Sequence, residues 1–126
     1  MQLMKTPRSA MYLAFVRSQL CAVTQTDHGV VAHHVRMPPH GGGVGLKPSD
    51  YRTVPLNQMR HLELHQVGEK TFWKRAGVVP EMVMAELLHL WIMKRYGIEL
   101  PMIEDPDQAC AYVDALERFI VSSGAA

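Results

Sequence analysis

Four histidines carry most of the chemistry this chain could do: His33-His34 in the run VVAHHVR, and His61 and His65 in RHLELH. On a helix, residues i and i+4 share a face with Cβ atoms roughly 5–6 Å apart, so His61 and His65 can coordinate one metal ion through imidazole nitrogens. Adjacent side chains on a strand point to opposite faces. If the doubled histidine ends a strand, one ring can join the metal while its neighbour faces a substrate. Phosphodiester hydrolysis needs that division of labour. A histidine titrating near neutrality takes a proton from water, and a divalent cation neutralises charge growing on the phosphate and the leaving 3′ oxygen. Either pair alone reads most simply as surface histidines. Their joint occurrence around a Gly-rich stretch, in basic surroundings, favours a site. His28 in a turn and His89 in an apolar helix read as structural, and His40 in PPHGGG reads as a loop residue that could touch substrate.

The charge pattern points the same way. The formal net charge is only +1, yet residues 1–75 hold ten Lys/Arg against four Asp/Glu, a balance of +6, and residues 76–126 hold three against eight, a balance of −5. The basic half carries the histidines, which suits a phosphate backbone; attraction between the two halves, or to a partner chain, is the alternative. Arg36, Lys47, Arg52 and Arg60 flank the histidines in sequence and are candidate phosphate contacts. Trp73, between Lys70 and Lys74, could stack a base, although core packing is the simpler role.

The elements that must position these groups are short. Residues 8–20 read as a short helix or an arm laid on the core. Runs around Ala22-Val23 and Val30 to Val35, separated by TQTDHG, read as a β-hairpin. Residues 37–50 (MPPHGGGVGLKPSD) read as a loop, Arg52 to Leu56 as a brief strand, and residues 57–66 as a helix capped by Asn57 and ended by Gly68. Pro80 opens a strong helix with Glu81 in its first turn, Lys94-Arg95 in its last and Gly97 after it. Apolar residues cover most of its circumference, so it should be buried in the core or in a dimer interface. A last helix starts at Asp105-Pro106, and Gly124 to Ala126 form a frayed tail.

At 126 residues the chain is expected to form a single domain. No apolar run reaches the ~18–20 residues that span a bilayer, and the N-terminus lacks the pattern of a signal peptide, so a cytoplasmic location without membrane contact is expected. Cys21 and Cys110 make no disulfide framework and read as buried or half-buried thiols.

The order AHHVR, a Gly-rich loop ending GLKPSD, then VPL, then HLELH resembles the HNH (ββα-metal) endonucleases, and most closely their phage and prophage Ref-like members, which act with RecA. The resemblance runs from about Tyr12 to Leu88 and includes GEKTFWKRAGVVP. It implies an α+β fold, with a small ββα-metal core over about 20–66 and packed C-terminal helices over about 69–122. It implies His34 as the general base. It places His33, His61 and His65 at one divalent metal ion (Mg2+, Mn2+ or Zn2+), with a contact from His65 to the scissile phosphate as the alternative.

Two departures from the family pattern matter. The structural zinc common in such proteins would fall to Cys21, Thr24, Asn57 and Arg60, of which only Cys21 is a suitable ligand, so no structural zinc is expected. The middle Asn is also absent, with Arg52 at the nearest position. Asp50 is the candidate to hold His34 by accepting its other ring proton, a turn or cap role being the plainer alternative. The expected function is metal-dependent hydrolysis of DNA in phage or prophage recombination or repair, with a RecA-type filament as a candidate partner and a homodimer as a candidate assembly. A degenerate HNH module that binds DNA or a recombination protein without cutting is the alternative. A colicin-like DNase neutralised by a partner ranks third.

Overall fold

The computed structural model describes residues 6–37 and 47–123. His40, most of the Gly-rich stretch and the expected tail lie outside the described residues. The chain order is α1 (Ala10–Arg17), β1 (Val30–His34), β2 (Thr53–Asn57), α2 (Gln58–Val67), α3 (Glu69–Ala76), α4 (Pro80–Tyr96), a 3-10 turn (Pro106–Gln108) and α5 (Ala109–Ser122). The architecture is α+β: one antiparallel strand pair with five α-helices among the described residues. No single helix among them is long and apolar enough to cross a membrane.

The expected hairpin between residues 22–23 and β1 does not form. β1 pairs instead with β2, in the register Val30 to Asn57, His33 to Val54 and His34 to Thr53. Residues 21–26 make a tight turn: the Cys21 N–H donates to Thr26 O (2.8 Å), Gln25 sits at φ 58, and the Ala22 N–H donates to Pro55 O (2.8 Å). A two-residue apolar run is too short to compete with β2, whose Val54 and Leu56 are fully buried. Burying such side chains stabilises by about 1.5–3 kcal/mol each.

Most helix ends follow local chemistry. Ser9 caps α1 by accepting the Tyr12 N–H, and the Asn57 side chain caps α2 by accepting the Arg60 N–H (2.8 Å). Gly68 (φ 92) ends α2 and at once starts α3, over the EKTFWKRA segment. Gly77 and Gly97 close α3 and α4 in the left-handed region that glycine tolerates. Helix α4 buries Met84, Leu87, Leu88, Trp91 and Ile92 and leaves Leu90 exposed. Helix α5 packs along α4. His89 is buried within α4 and Trp73 is buried in the core, as their plainer readings had it; Cys21 and Cys110 are unpaired thiols, one buried and one half-buried.

An aromatic knot ties α1 to the turn before β2. Tyr12 meets Tyr51 at 5.0 Å between ring centroids and Trp91 edge-on at 5.4 Å. The next residue, Arg52, corrects the expectation of a phosphate contact there. It is only 7% exposed, because α5 covers it with two carboxylates. Its Nη2 donates to Asp114 Oδ1 and to Glu117 Oε1 (2.9 Å), and its Nε donates to Glu117 Oε1 (3.2 Å). The side chain is a clasp between the turn before β2 and α5. Losing one partner of a buried ion pair costs ~3–5 kcal/mol, and the partial exposure of Asp114 reduces that, so Arg52→Ala is expected to destabilise the fold by about 2–3 kcal/mol. Urea denaturation checks this; a loss under ~0.5 kcal/mol, the scale of an ordinary surface substitution, would contradict the clasp.

Candidate metal centre

The strand pair and α2 bring three of the four histidines together. His61 and His65, one turn apart on α2, place their Nε2 atoms 3.1 Å from each other. The His33 ring reaches them from β1, with centroids 5.0 Å from His61 and 5.8 Å from His65. One ligand nitrogen from each lies within 4.8 Å of the others. Nitrogens bound to one ion at ~2.1 Å stand about 3.0–3.4 Å apart for bond angles between octahedral and tetrahedral, so the α2 pair already has chelating separation. His33 is buried, His61 half-buried and His65 exposed, so the cluster opens to solvent on its α2 side. Burial, then the neighbouring His33 and His65, lowers the proton affinity of His61 against the opposing pull of Glu69. The ring is thereby kept in the neutral form a metal requires.

His34, next along β1, points away from this cluster, as strand alternation requires. Its Nε2 lies 2.8 Å from Asp50 Oδ1. Asp50 is itself held by the N-terminal arm: Oδ2 accepts the Ser9 N–H (2.8 Å) and Oδ1 accepts from Arg8 Nη1 (3.2 Å). Burial opposes ionisation of Asp50, but the hydrogen bonds from His34, Ser9 and Arg8 outweigh it and hold the carboxyl below its ordinary value. An ionised carboxylate only accepts, so the His34 proton sits on Nε2 and the Nδ1 lone pair is left to act as base. Burial is the main cause that lowers the proton affinity of His34; Lys47 and Arg8 add to it, and Asp50 opposes. The ring is poised as a neutral proton acceptor.

The basic residues divide. Arg36, Lys47 and Arg60 are exposed around the histidines, Arg60 in an ion pair with Glu63 at 2.7 Å. Arg52 is the exception described above.

Sequence reading did not find Arg8, Ser9 or Glu69. Glu69, the first residue of α3, reaches His33 Nε2 with both oxygens (3.0 and 3.2 Å). Nothing local in the sequence signals these contacts, since each joins segments far apart in the chain. Cys21, Thr24 and Asn57 also meet. Cys21 is hydrogen-bonded by Thr24 and by the backbone of Val23, Thr24 and Asn57, while Asn57 Nδ2 donates to Thr24 Oγ1 (3.2 Å). Hydrogen bonds tie this turn to the start of α2.

An α+β chain with three clustered imidazoles beside a histidine–carboxylate pair defines the class of site. The chain belongs to the DUF968 family, described as a protein of unknown function, whose match covers residues 3–91. That span takes in every residue of the two histidine clusters and stops short of α5. No curated protein and no solved structure matches the chain.

Proposed function

We propose that this protein is a metal-dependent endonuclease of the HNH type that hydrolyses DNA phosphodiester bonds. The observation that carries the reading is the split of the doubled histidine: His33 joins His61 and His65 in a cluster with chelating spacing, while His34 sits on the other side of β1 against Asp50. The succession β1–β2–α2, with His33 on β1 and His61 and His65 on α2, supports the reading. Three imidazoles favour a transition ion such as Zn2+ over Mg2+, which prefers oxygen ligands. When bound, the cation supplies charge neutralisation at the phosphate and the leaving oxygen.

The chain's own residues do the rest. His34 Nδ1 removes a proton from the attacking water, and Asp50 keeps the opposite proton on Nε2 and stabilises the imidazolium that forms. Arg8 and Ser9 anchor Asp50 so that its carboxylate stays aimed at the ring. Arg36, Lys47 and Arg60 provide the positive rim that holds a DNA backbone. The resemblance to phage and prophage Ref-like nucleases makes recombination or repair the setting and a RecA-type filament a candidate partner.

The test is a supercoiled-plasmid nicking assay with Zn2+, Mn2+, Mg2+ and chelator, repeated on single-stranded DNA and on a recombinase filament. Nicking that requires a divalent ion supports the proposal. DNA binding that survives in chelator, with no cleavage under any ion or substrate, would replace it with the non-cutting HNH module.

A further inference from the structure

Three donors converge on the Glu69 carboxylate. Oε1 accepts the Arg36 backbone N–H (2.8 Å), Oε2 accepts the Trp73 indole N–H, and both oxygens face His33 Nε2. The indole is buried and comes from the next turn of α3, and the Arg36 N–H is fixed just beyond the end of β1, so the carboxylate is held from two elements at once. The Arg36 N–H and the indole N–H can only donate, one to each oxygen, so both oxygens already accept hydrogen bonds as an ionised carboxylate does. An ionised carboxylate has lone pairs and no proton to give. The hydrogen in the His33–Glu69 bond therefore belongs to the imidazole.

We infer that Glu69 is a positioning residue that fixes the tautomer of His33, keeping the proton on Nε2 and leaving the Nδ1 lone pair to coordinate the ion shared with His61 and His65. The inference rests on the metal reading above and adds to it a residue that belongs to neither histidine cluster. Ligating histidines commonly give their second ring proton to a carboxylate, and removing that partner weakens metal binding about 10–100-fold. The arrangement mirrors the other face of the strand, where Asp50 takes the Nε2 proton of His34. Adjacent rings are each locked by a carboxylate from a different part of the chain, one as ligand and one as base.

The substitution that reads this out is Glu69→Gln, which keeps the shape. A glutamine offers one oxygen to three donors, and its amide turned toward His33 would donate to Nε2 and drive the ring proton to Nδ1. Long-range 1H–15N correlation spectra of the metal-free wild type are expected to show His33 as the Nε2–H tautomer, a measurement that needs no variant to fold. In Glu69→Gln that signature shifts toward Nδ1–H, and Zn2+ affinity by titration calorimetry falls about 10–100-fold at unchanged stoichiometry. An Nδ1–H tautomer in the wild type, or Zn2+ affinity in Glu69→Gln within twofold of wild type, overturns the role. So does complete loss of the ion, which would make Glu69 a ligand. His61→Ala in the same titrations separates the two readings. Wild-type binding that His61→Ala abolishes and Glu69→Gln leaves intact overturns only the Glu69 role, whereas a wild type that binds no ion overturns the metal centre with it.

Discussion

On the proposed reading, His34→Ala is expected to fold and to bind metal like the wild type while losing DNA cleavage by ~10²–10⁴-fold, the range for removing a general base. The fold should survive because Asp50 keeps its two other donors, Arg8 and the Ser9 N–H, so no buried carboxylate is left without partners. The metal should survive because His34 lies on the opposite side of β1 from His33, His61 and His65. The loss falls on proton removal from water. Added imidazole, entering the space the ring vacates at a partly exposed position, is expected to restore part of the rate, and restoration should saturate with concentration. Nicking by His34→Ala within tenfold of wild type would remove the residue from the mechanism.

The second large effect is at the ion. His61→Ala is expected to lower metal affinity by more than ~100-fold, beyond the effect of losing a ligand's hydrogen-bond partner, and to abolish cleavage with it. The readout is thermal. A ligand that binds only the folded chain stabilises it by about 2.7 kcal/mol at a hundred times its Kd, so Zn2+ should raise the melting temperature of the wild type and leave that of His61→Ala unchanged. Without ion the two proteins should melt alike, because His61 is half-buried and, among the described residues, its ring hydrogen-bonds His65 alone. An equal Zn2+ shift in both would mean that the ion binds elsewhere.

The half of the site built from local periodicity could be read from the chain alone. His61 and His65 lie on one helical face because the spacing is four, and Asn57 caps that helix as its side chain predicts. What could not be read is pairing at a distance. The turn residues at 24–29 suggested a hairpin with Ala22-Val23, yet β1 found its partner beyond the Gly-rich stretch, where a buried Val54 and Leu56 offered more. Arg52 looked like a phosphate contact because it neighbours the histidines in sequence. Its true partners, Asp114 and Glu117, are on a helix that only the tertiary fold brings to it. Glu69 carried no signal at all, since an acidic first residue of a helix is ordinary.

The bonds His34–Asp50, His33–Glu69 and Arg8–Asp50 join residues separated by 16, 36 and 42 positions. In closure entropy the longest costs only about 0.9 kcal/mol more than the shortest, so distance along the chain hardly weakens the finished site. The cost is in time, because non-local contacts form late in folding. A chain still emerging during synthesis, with only residues 1–68 made, carries His33, His34, His61, His65 and Asp50 but lacks Glu69. On the proposed reading, such a chain holds its ion about 10–100-fold more weakly, so the power to cut DNA rises as the fold is completed.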